Sequence, residues 1–190
     1  YVHGFSPGRP SDSGAGLLCT ADNRLVYAVA AVVVVMDTRK HWLADEEAAA
    51  SYPNETSQKY FQSHSSDVTA LSLHPNKTFV ASGQAGADPV LYVWDSATSD
   101  GCPRAVRRLQ LTGQVDVVAL SFSEVGDVLA AASAGDDRAV TVIDWQHHWV
   151  QFKVAAGPFA IKELRFIPHE KEVALLPQED GDEAAQPHVA

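Results

Sequence analysis

The sequence has few cysteines for disulfide bonds and no apolar run long enough for a membrane-spanning helix. It has two cysteines, Cys19 and Cys102, and one methionine among 190 residues. Two cysteines do not make a disulfide framework, so we expect a reducing cytoplasmic compartment. The longest apolar run, residues 28–35, is far shorter than the roughly 20 residues of a membrane-spanning helix. A single buried strand explains this run better, and we expect no membrane contact.

Positive charge is also scarce. Fourteen Lys and Arg residues face 24 Asp and Glu residues, which gives a formal net charge of -10. This balance argues against nucleic-acid binding, because that binding needs clustered cations to displace counterions from phosphates. One compact basic cluster, Arg104, Arg107 and Arg108, is a candidate partner-binding site. The alternative is a strand edge whose cations prevent edge-to-edge aggregation.

An internal repeat is present. Residues 67–95 align without a gap to residues 116–144 at a constant offset of 49. Each copy contains three short runs rich in β-branched and aromatic residues, separated by polar turns, and a fourth, more polar run follows. A four-stranded antiparallel unit with this period predicts a blade of an all-β propeller. Identical pairs include Asp67 and Asp116, Leu71 and Leu120, Ser72 and Ser121, Gly86 and Gly135, Asp88 and Asp137, and Asp95 and Asp144.

Weaker units flank this pair and set the predicted organisation of the chain. A first unit with atypical strands (1–59) contains an insertion at 43–58. It is followed by a full blade (60–112), a degenerate blade (113–157), the start of a further blade (158–176) and an acidic flexible tail (177–190). Asp37, Asp95 and Asp144 each end the third strand of a unit. A closed ring has about 4 to 8 blades, so we expect an open segment whose edges are covered by other blades of a parent chain or by a larger complex.

Four residues of the full blade have the types and spacing of the hydrogen-bonded tetrad of WD repeats: His64, Ser82, Asp88 and Trp94. We expect Asp88 to accept from the backbone of its own turn and to orient the imidazole. The imidazole then contacts the Ser82 hydroxyl, which accepts from the indole N–H. Such a chain satisfies its own buried polar groups.

The degenerate blade lacks most of this tetrad. At the constant offset, Gly113, Ala131 and Ile143 stand where His64, Ser82 and Trp94 stand in the full blade. We therefore expect apolar packing to replace the tetrad there.

Enzymatic and metal-dependent functions have little support in the sequence. The Ser, His and Asp of the tetrad have no oxyanion loop or exposed nucleophile turn beside them. His147 and His148 are neighbours on an extended chain and point to opposite faces, so they do not readily share one ion. We predict no catalytic, cofactor-binding or metal-binding residues. Trp42, Trp145 and Trp149 are expected to pack between blades rather than to bind partners.

Two segments together resemble one known family. VYAVAAVVVVMDTRKHW, at residues 26–42, and SHSSDVTALSLHPNKTFVASGQAGADPVLYVWD, at residues 63–95, look like the echinoderm microtubule-associated protein-like family. In that family a hydrophobic stretch, the HELP motif, leads directly into WD repeats. The resemblance runs from Tyr1 to about Leu176. The segment SPGRPSDSGAG departs from the pattern, and no coiled-coil heptads are present.

The resemblance implies an atypical WD-repeat propeller that associates with tubulin or microtubules in the cytoplasm, cytoskeleton or ciliary axoneme. The alternative is a WD-repeat adaptor of another multiprotein complex. Co-sedimentation with microtubules distinguishes the two.

Overall fold

The sheets of this fold are built from antiparallel strands. The computed structural model describes residues 16–38, 58–136, 138–157 and 159–167. Twelve strands in these ranges form three four-stranded antiparallel sheets, each in its own sequence order. This arrangement confirms the predicted all-β class and the four-stranded blades. In the same ranges, no helix has the length and apolar character needed to cross a membrane.

The first sheet, blade 1, contains a hairpin that divides the longest apolar run. Ala30 adopts a positive φ of 51° between two strands, so residues 28–35 do not form the single buried strand expected. Alternate side chains of the hairpin, including Val26 and Val33, are fully buried on the face toward the second sheet. The strands are β1 (Leu18–Cys19), β2 (Arg24–Val29), β3 (Val32–Asp37) and β4 (Gln58–Phe61).

The position of β4 corrects the predicted boundaries. The division at residues 59 and 60 falls inside this strand, and Gln58 belongs to the strand rather than to the insertion. Blade 1 is a complete four-stranded sheet. The sequence does not reveal β4 as a strand, because it has only four residues and shows no alternation of apolar and polar residues. Both of its ends are buried.

The second and third sheets, blade 2 and blade 3, repeat one topology. In each sheet the first strand contacts the preceding blade, and the last strand is the outermost one. Blade 2 contains β5 (Val68–Leu73), β6 (Phe79–Gln84), β7 (Val90–Asp95) and β8 (Arg104–Gln110). Blade 3 contains β9 (Val115–Phe122), β10 (Val128–Ala134), β11 (Ala139–Asp144) and β12 (Trp149–Ala155).

The blades pack face to face through two apolar layers. Val33 and Phe61 of blade 1 meet Val80 and Trp94 of blade 2, and the rings of Phe61 and Trp94 stack with centroids 4.9 Å apart. Blades 2 and 3 share a larger layer. Its buried members are Ala70, Ala81, Leu91, Val93, Leu109, Leu111, Val117, Leu120, Phe122, Leu129, Ala131, Ile143 and Trp145.

Backbone hydrogen bonds join the blades beside these layers. The amide of Val68 donates to the Ala30 carbonyl over 2.8 Å, and Asp116 donates to Gly86 over 2.9 Å. Because buried peptide groups need partners, these bonds fix the distance and register between neighbouring sheets.

Residues 159–167 follow β12 and form no strand. The Phe166 amide lies 3.4 Å from the Ser121 hydroxyl of blade 3. The rest of the predicted further blade and the acidic tail lie outside the described residues, as do Trp42 and most of the insertion.

Candidate interaction site

Three residues of the predicted tetrad form a continuous buried chain within blade 2. The Trp94 indole N–H donates to the Ser82 hydroxyl over 3.1 Å, and that hydroxyl lies 2.7 Å from His64 Nε2. Strands β6 and β7 pair side by side and hold Ser82 and Trp94 in place, while His64 lies before β5. His64 also contacts the Tyr92 ring edge-on, with centroids 4.9 Å apart. These groups are used to hold the blade together.

Gln84, rather than Asp88, orients the imidazole. Gln84 Oε1 lies 3.0 Å from His64 Nδ1, and the Gln84 amide donates to the Ser65 hydroxyl over 3.1 Å. An amide oxygen can only accept, so Nδ1 carries the proton and Nε2 accepts from Ser82. Burial lowers the pKa of His64, with the Gln84 hydrogen bond opposing that shift. The imidazole is therefore held neutral.

Asp88 serves a different contact. It adopts a positive φ of 48°, and its carboxylate accepts from the Gly113 amide over 2.5 Å. Its own amide donates to the Gln114 carbonyl. Asp88 therefore ties the β6–β7 turn to the segment that leads into blade 3, instead of reaching His64. The spacing of Gln84 could have indicated this contact. Gln84 follows Ser82 by two residues on a strand, so both side chains project from the same face.

Blade 3 packs Ala131 and Ile143, the counterparts of Ser82 and Trp94, into the apolar layer, as expected, and adds a polar pair that the sequence did not predict. The buried Gln114 amide donates to the Thr141 hydroxyl over 3.0 Å. Thr141 stands 49 residues after Tyr92, the residue that His64 contacts in blade 2. The pair therefore fills the corresponding position between sheets.

The residues that end the third strands hold the turns that follow. The Asp95 carboxylate accepts from the Ala97 amide over 2.8 Å, and Asp144 accepts from the Gln146 and His147 amides. Hydrogen bonds from the His147 side chain and amide lower the pKa of Asp144. Asp37 ends β3 at the corresponding place. A carboxylate at this position forms a local turn that starts the outer strand.

The aromatic residues divide between packing and exposure. Trp145 is buried, and its indole N–H donates to the Gly126 carbonyl over 2.8 Å. Its ring meets His74 and Phe79 of blade 2 edge-on, so it packs between blades as expected. Trp149 at the start of β12 is 67% exposed. It does not pack between blades, because its strand lies at the outer edge.

The three arginines of the basic cluster lie on β8. Arg104 pairs with Asp100, Arg107 Nε donates to the Gln146 carbonyl of blade 3 over 3.2 Å, and Arg108 is exposed. The strand is outermost in its sheet, which places the cluster on the rim of the molecule. In the described ranges, no group of three or more His, Cys, Asp or Glu side chains is arranged to hold a metal ion.

Comparisons with known proteins agree with the repeat architecture. Residues 55–95 match the family model for the WD domain, G-beta repeat. The chain is 30% identical over 156 residues to the 77 kDa echinoderm microtubule-associated protein of Strongylocentrotus purpuratus, an alignment covering 77% of this chain and 19% of that protein. It is 28% identical over 189 residues to echinoderm microtubule-associated protein-like 1 of Homo sapiens, covering 92% and 20% respectively.

A third relative is named for a ciliary location. The chain is 26% identical over 161 residues to the ciliary WD repeat-containing protein ctxp80 of Euplotoides octocarinatus, covering 83% of this chain and 21% of that protein. The chain spans about a fifth of the length of each of these relatives. These similarities confirm the resemblance drawn from the sequence, while the HELP motif stays a prediction.

Proposed function

We propose that this chain, a WD-repeat segment related to the echinoderm microtubule-associated protein-like proteins, is a non-enzymatic scaffold of a microtubule-based assembly. The observation that carries the proposal is the extent of the similarity. Proteins named for microtubules or cilia align with between 77% and 92% of the chain, so the likeness extends well beyond one WD repeat. The corresponding location is the cytoplasmic cytoskeleton or a ciliary axoneme.

The use of the polar residues supports a scaffold rather than an enzyme. Ser82 is fully buried, and its one hydroxyl contacts both His64 and Trp94. A nucleophile must reach its substrate, and this hydroxyl is enclosed between two sheets. Ser82 and His64, whose residue types could act in hydrolysis, therefore stabilise blade 2 through buried hydrogen bonds.

A second proposal concerns the far face of blade 3, which we assign to a further blade. Val140 and Val142 stand 49 residues after Leu91 and Val93, the residues that blade 2 buries against blade 3. Val154 pairs with Val140 as Leu109 pairs with Leu91, yet Val154 is 52% exposed and Leu109 only 7%. Exposed apolar area of this kind favours a covering partner.

The competing proposal is a WD-repeat adaptor of another complex, and the exposed Trp149 and Phe152 on β12 favour it as a generic protein contact. Co-sedimentation of the chain with stabilised microtubules, run beside size-exclusion binding to free tubulin, separates the two. We expect co-sedimentation that saturates with microtubule concentration. A chain that neither pellets with microtubules nor elutes with tubulin would remove the microtubule proposal and leave the adaptor.

A further inference from the structure

The charged residues of the strands are segregated by position in the blade. The outermost strands β4, β8 and β12 contain five basic residues and no acidic residue. The other nine strands contain one basic residue, Arg24, and four acidic ones. A chain with a net charge of -10 thus has a basic outer edge, which we call the basic rim. Its members are Lys59, Arg104, Arg107, Arg108 and Lys153.

Three of the cations are not neutralised by the fold. Across the described ranges, no carboxylate lies within ion-pair distance of Lys59, Arg108 or Lys153. Arg108 and Lys153 are exposed and Lys59 is half-buried. Arg104 is paired with Asp100, and Arg107 donates to backbone carbonyls. Among the described residues, these cations of the rim therefore have no paired carboxylate, and two of them are exposed to solvent.

The cations of β8 project from both faces of the strand. Residues opposite each other on paired strands share a face. Arg107 is opposite Val93, which packs toward blade 3, and Arg108 is opposite Tyr92, which packs toward blade 1. The rim charge is thus not confined to a single gap between blades.

Two contacts between blades involve residues of the basic rim. The Arg107 guanidinium reaches Gln146, just before β12, and Lys59 Cε lies 3.8 Å from the position that a Cβ on Gly101 would take. Gly101 lies in the loop that leads into β8. Lys59 therefore lies beside the approach to β8 and Arg107 beside the approach to β12, so the basic residues follow the outermost strands of three neighbouring blades.

We infer that the basic rim is a docking surface for an acidic, extended peptide of a partner. This inference rests on the proposed function and assigns the contact to one surface. Charge complementarity along the rim suits a flexible segment with repeated carboxylates, because each exposed ion pair contributes little and several must act together. Among the described strands, β8 is the outermost of its sheet, and the backbone groups along its outer edge can engage an extended peptide.

The direct test uses the full chain and a fluorescently labelled oligo-glutamate peptide, read by anisotropy. The rim variant is R108Q/K153Q, and the matched control is K77Q/R165Q, which removes the same charge from residues outside the rim. Loss of two exposed ion pairs should weaken binding roughly two- to thirtyfold. The control should change affinity less than about twofold, and added salt should weaken the unmodified chain. The conservative variant R108K/K153R should bind as the unmodified chain does.

Each result decides one question. Equal affinities of the rim variant and the control, or no binding of oligo-glutamate to the unmodified chain, would overturn the docking surface. Co-sedimentation with microtubules that persists in the rim variant at unchanged affinity would also overturn it, yet would leave the scaffold proposal intact. Rim-dependent peptide binding by a chain that binds neither microtubules nor tubulin would support the rim and remove the microtubule proposal.

Discussion

Blades 2 and 3 share a sequence repeat, a strand order and a common apolar layer, but their polar contacts differ. Blade 2 is held by Trp94, Ser82 and His64 in one hydrogen-bonded chain. Blade 3 has an isolated pair, Gln114 and Thr141, in the corresponding gap. Both blades keep the same backbone arrangement despite this difference, because the sheet is specified by the alternation of apolar residues and by the positions of the turns. The buried polar contacts only have to be satisfied, and more than one set of residues does this.

The largest expected effect comes from Trp94, the residue of blade 2 that blade 3 replaces by Ile143. Trp94→Ala removes a fully buried ring that stacks on Phe61 and leaves the Ser82 hydroxyl with one partner fewer. We expect a loss of about 3–5 kcal/mol in the free energy of unfolding. Urea denaturation followed by far-UV circular dichroism measures it.

The comparison in blade 3 is Trp149→Ala, an exposed tryptophan, because Ile143 stands at the position of Trp94. This side chain is 67% exposed at the outer edge, so its loss should alter stability by at most about 0.5 kcal/mol. Similar losses in the two variants would contradict the view that blade 2 is anchored by its buried indole.

The polar contacts give the next largest effect. Ser82→Ala deprives both His64 and Trp94 of a buried partner and should cost about 2–3 kcal/mol. In blade 3, Thr141→Val strands only the Gln114 amide and should cost about 1 kcal/mol. The double change Q114L/T141V should recover most of that loss, because replacing both partners leaves no unsatisfied group. Recovery that fails to appear would mean the pair has a further role in blade 3.

A single methyl group tests the contact between the blades. A Cβ on Gly83 would lie 2.5 Å from Val117 Cγ1 and 3.0 Å from Leu91 Cδ2. Gly83→Ala should therefore destabilise by about 1–2 kcal/mol through overpacking. The residue 49 positions later is Ala132, so A132G is the reverse change and should cost only about 0.5–1 kcal/mol. Unchanged urea midpoints for G83A would show that blades 2 and 3 lie further apart than this contact requires.

Much of the fold could be predicted because the repeat fixes strand periodicity and turns at once. The offset of 49 identified the strands of blades 2 and 3, and the types and spacing of the WD-repeat tetrad grouped Ser82 and Trp94 with His64. The sequence could not identify Gln84 as the partner of His64, because an aspartate is the more familiar residue type for this contact. The positive φ of its turn directs Asp88 to Gly113 instead. The offset also missed Gln114, because a constant offset compares His64 with Gly113 alone. Local backbone geometry decides such contacts, and residue identity does not encode it directly.

The smallest expected effect is a pH dependence of the free energy of unfolding, and it arises from His64 of blade 2. Burial lowers the pKa of this imidazole in the folded chain, while the unfolded chain keeps a value near 6.5. Its contribution is therefore fully present above about pH 6.5. As the pH falls below that value, the unfolded state takes up a proton that the folded state resists, so stability decreases toward the lowered folded pKa.

The measurement compares the urea midpoints of the unmodified chain and of His64→Gln between pH 7.5 and 5. All other titratable groups are common to both proteins, so the difference between the two curves isolates the imidazole. We expect the unmodified chain to lose more stability over this interval than the variant, whatever the variant's starting stability. Parallel curves would mean that the imidazole accepts a proton in place, and that the chain from Trp94 to Gln84 does not require its neutral form.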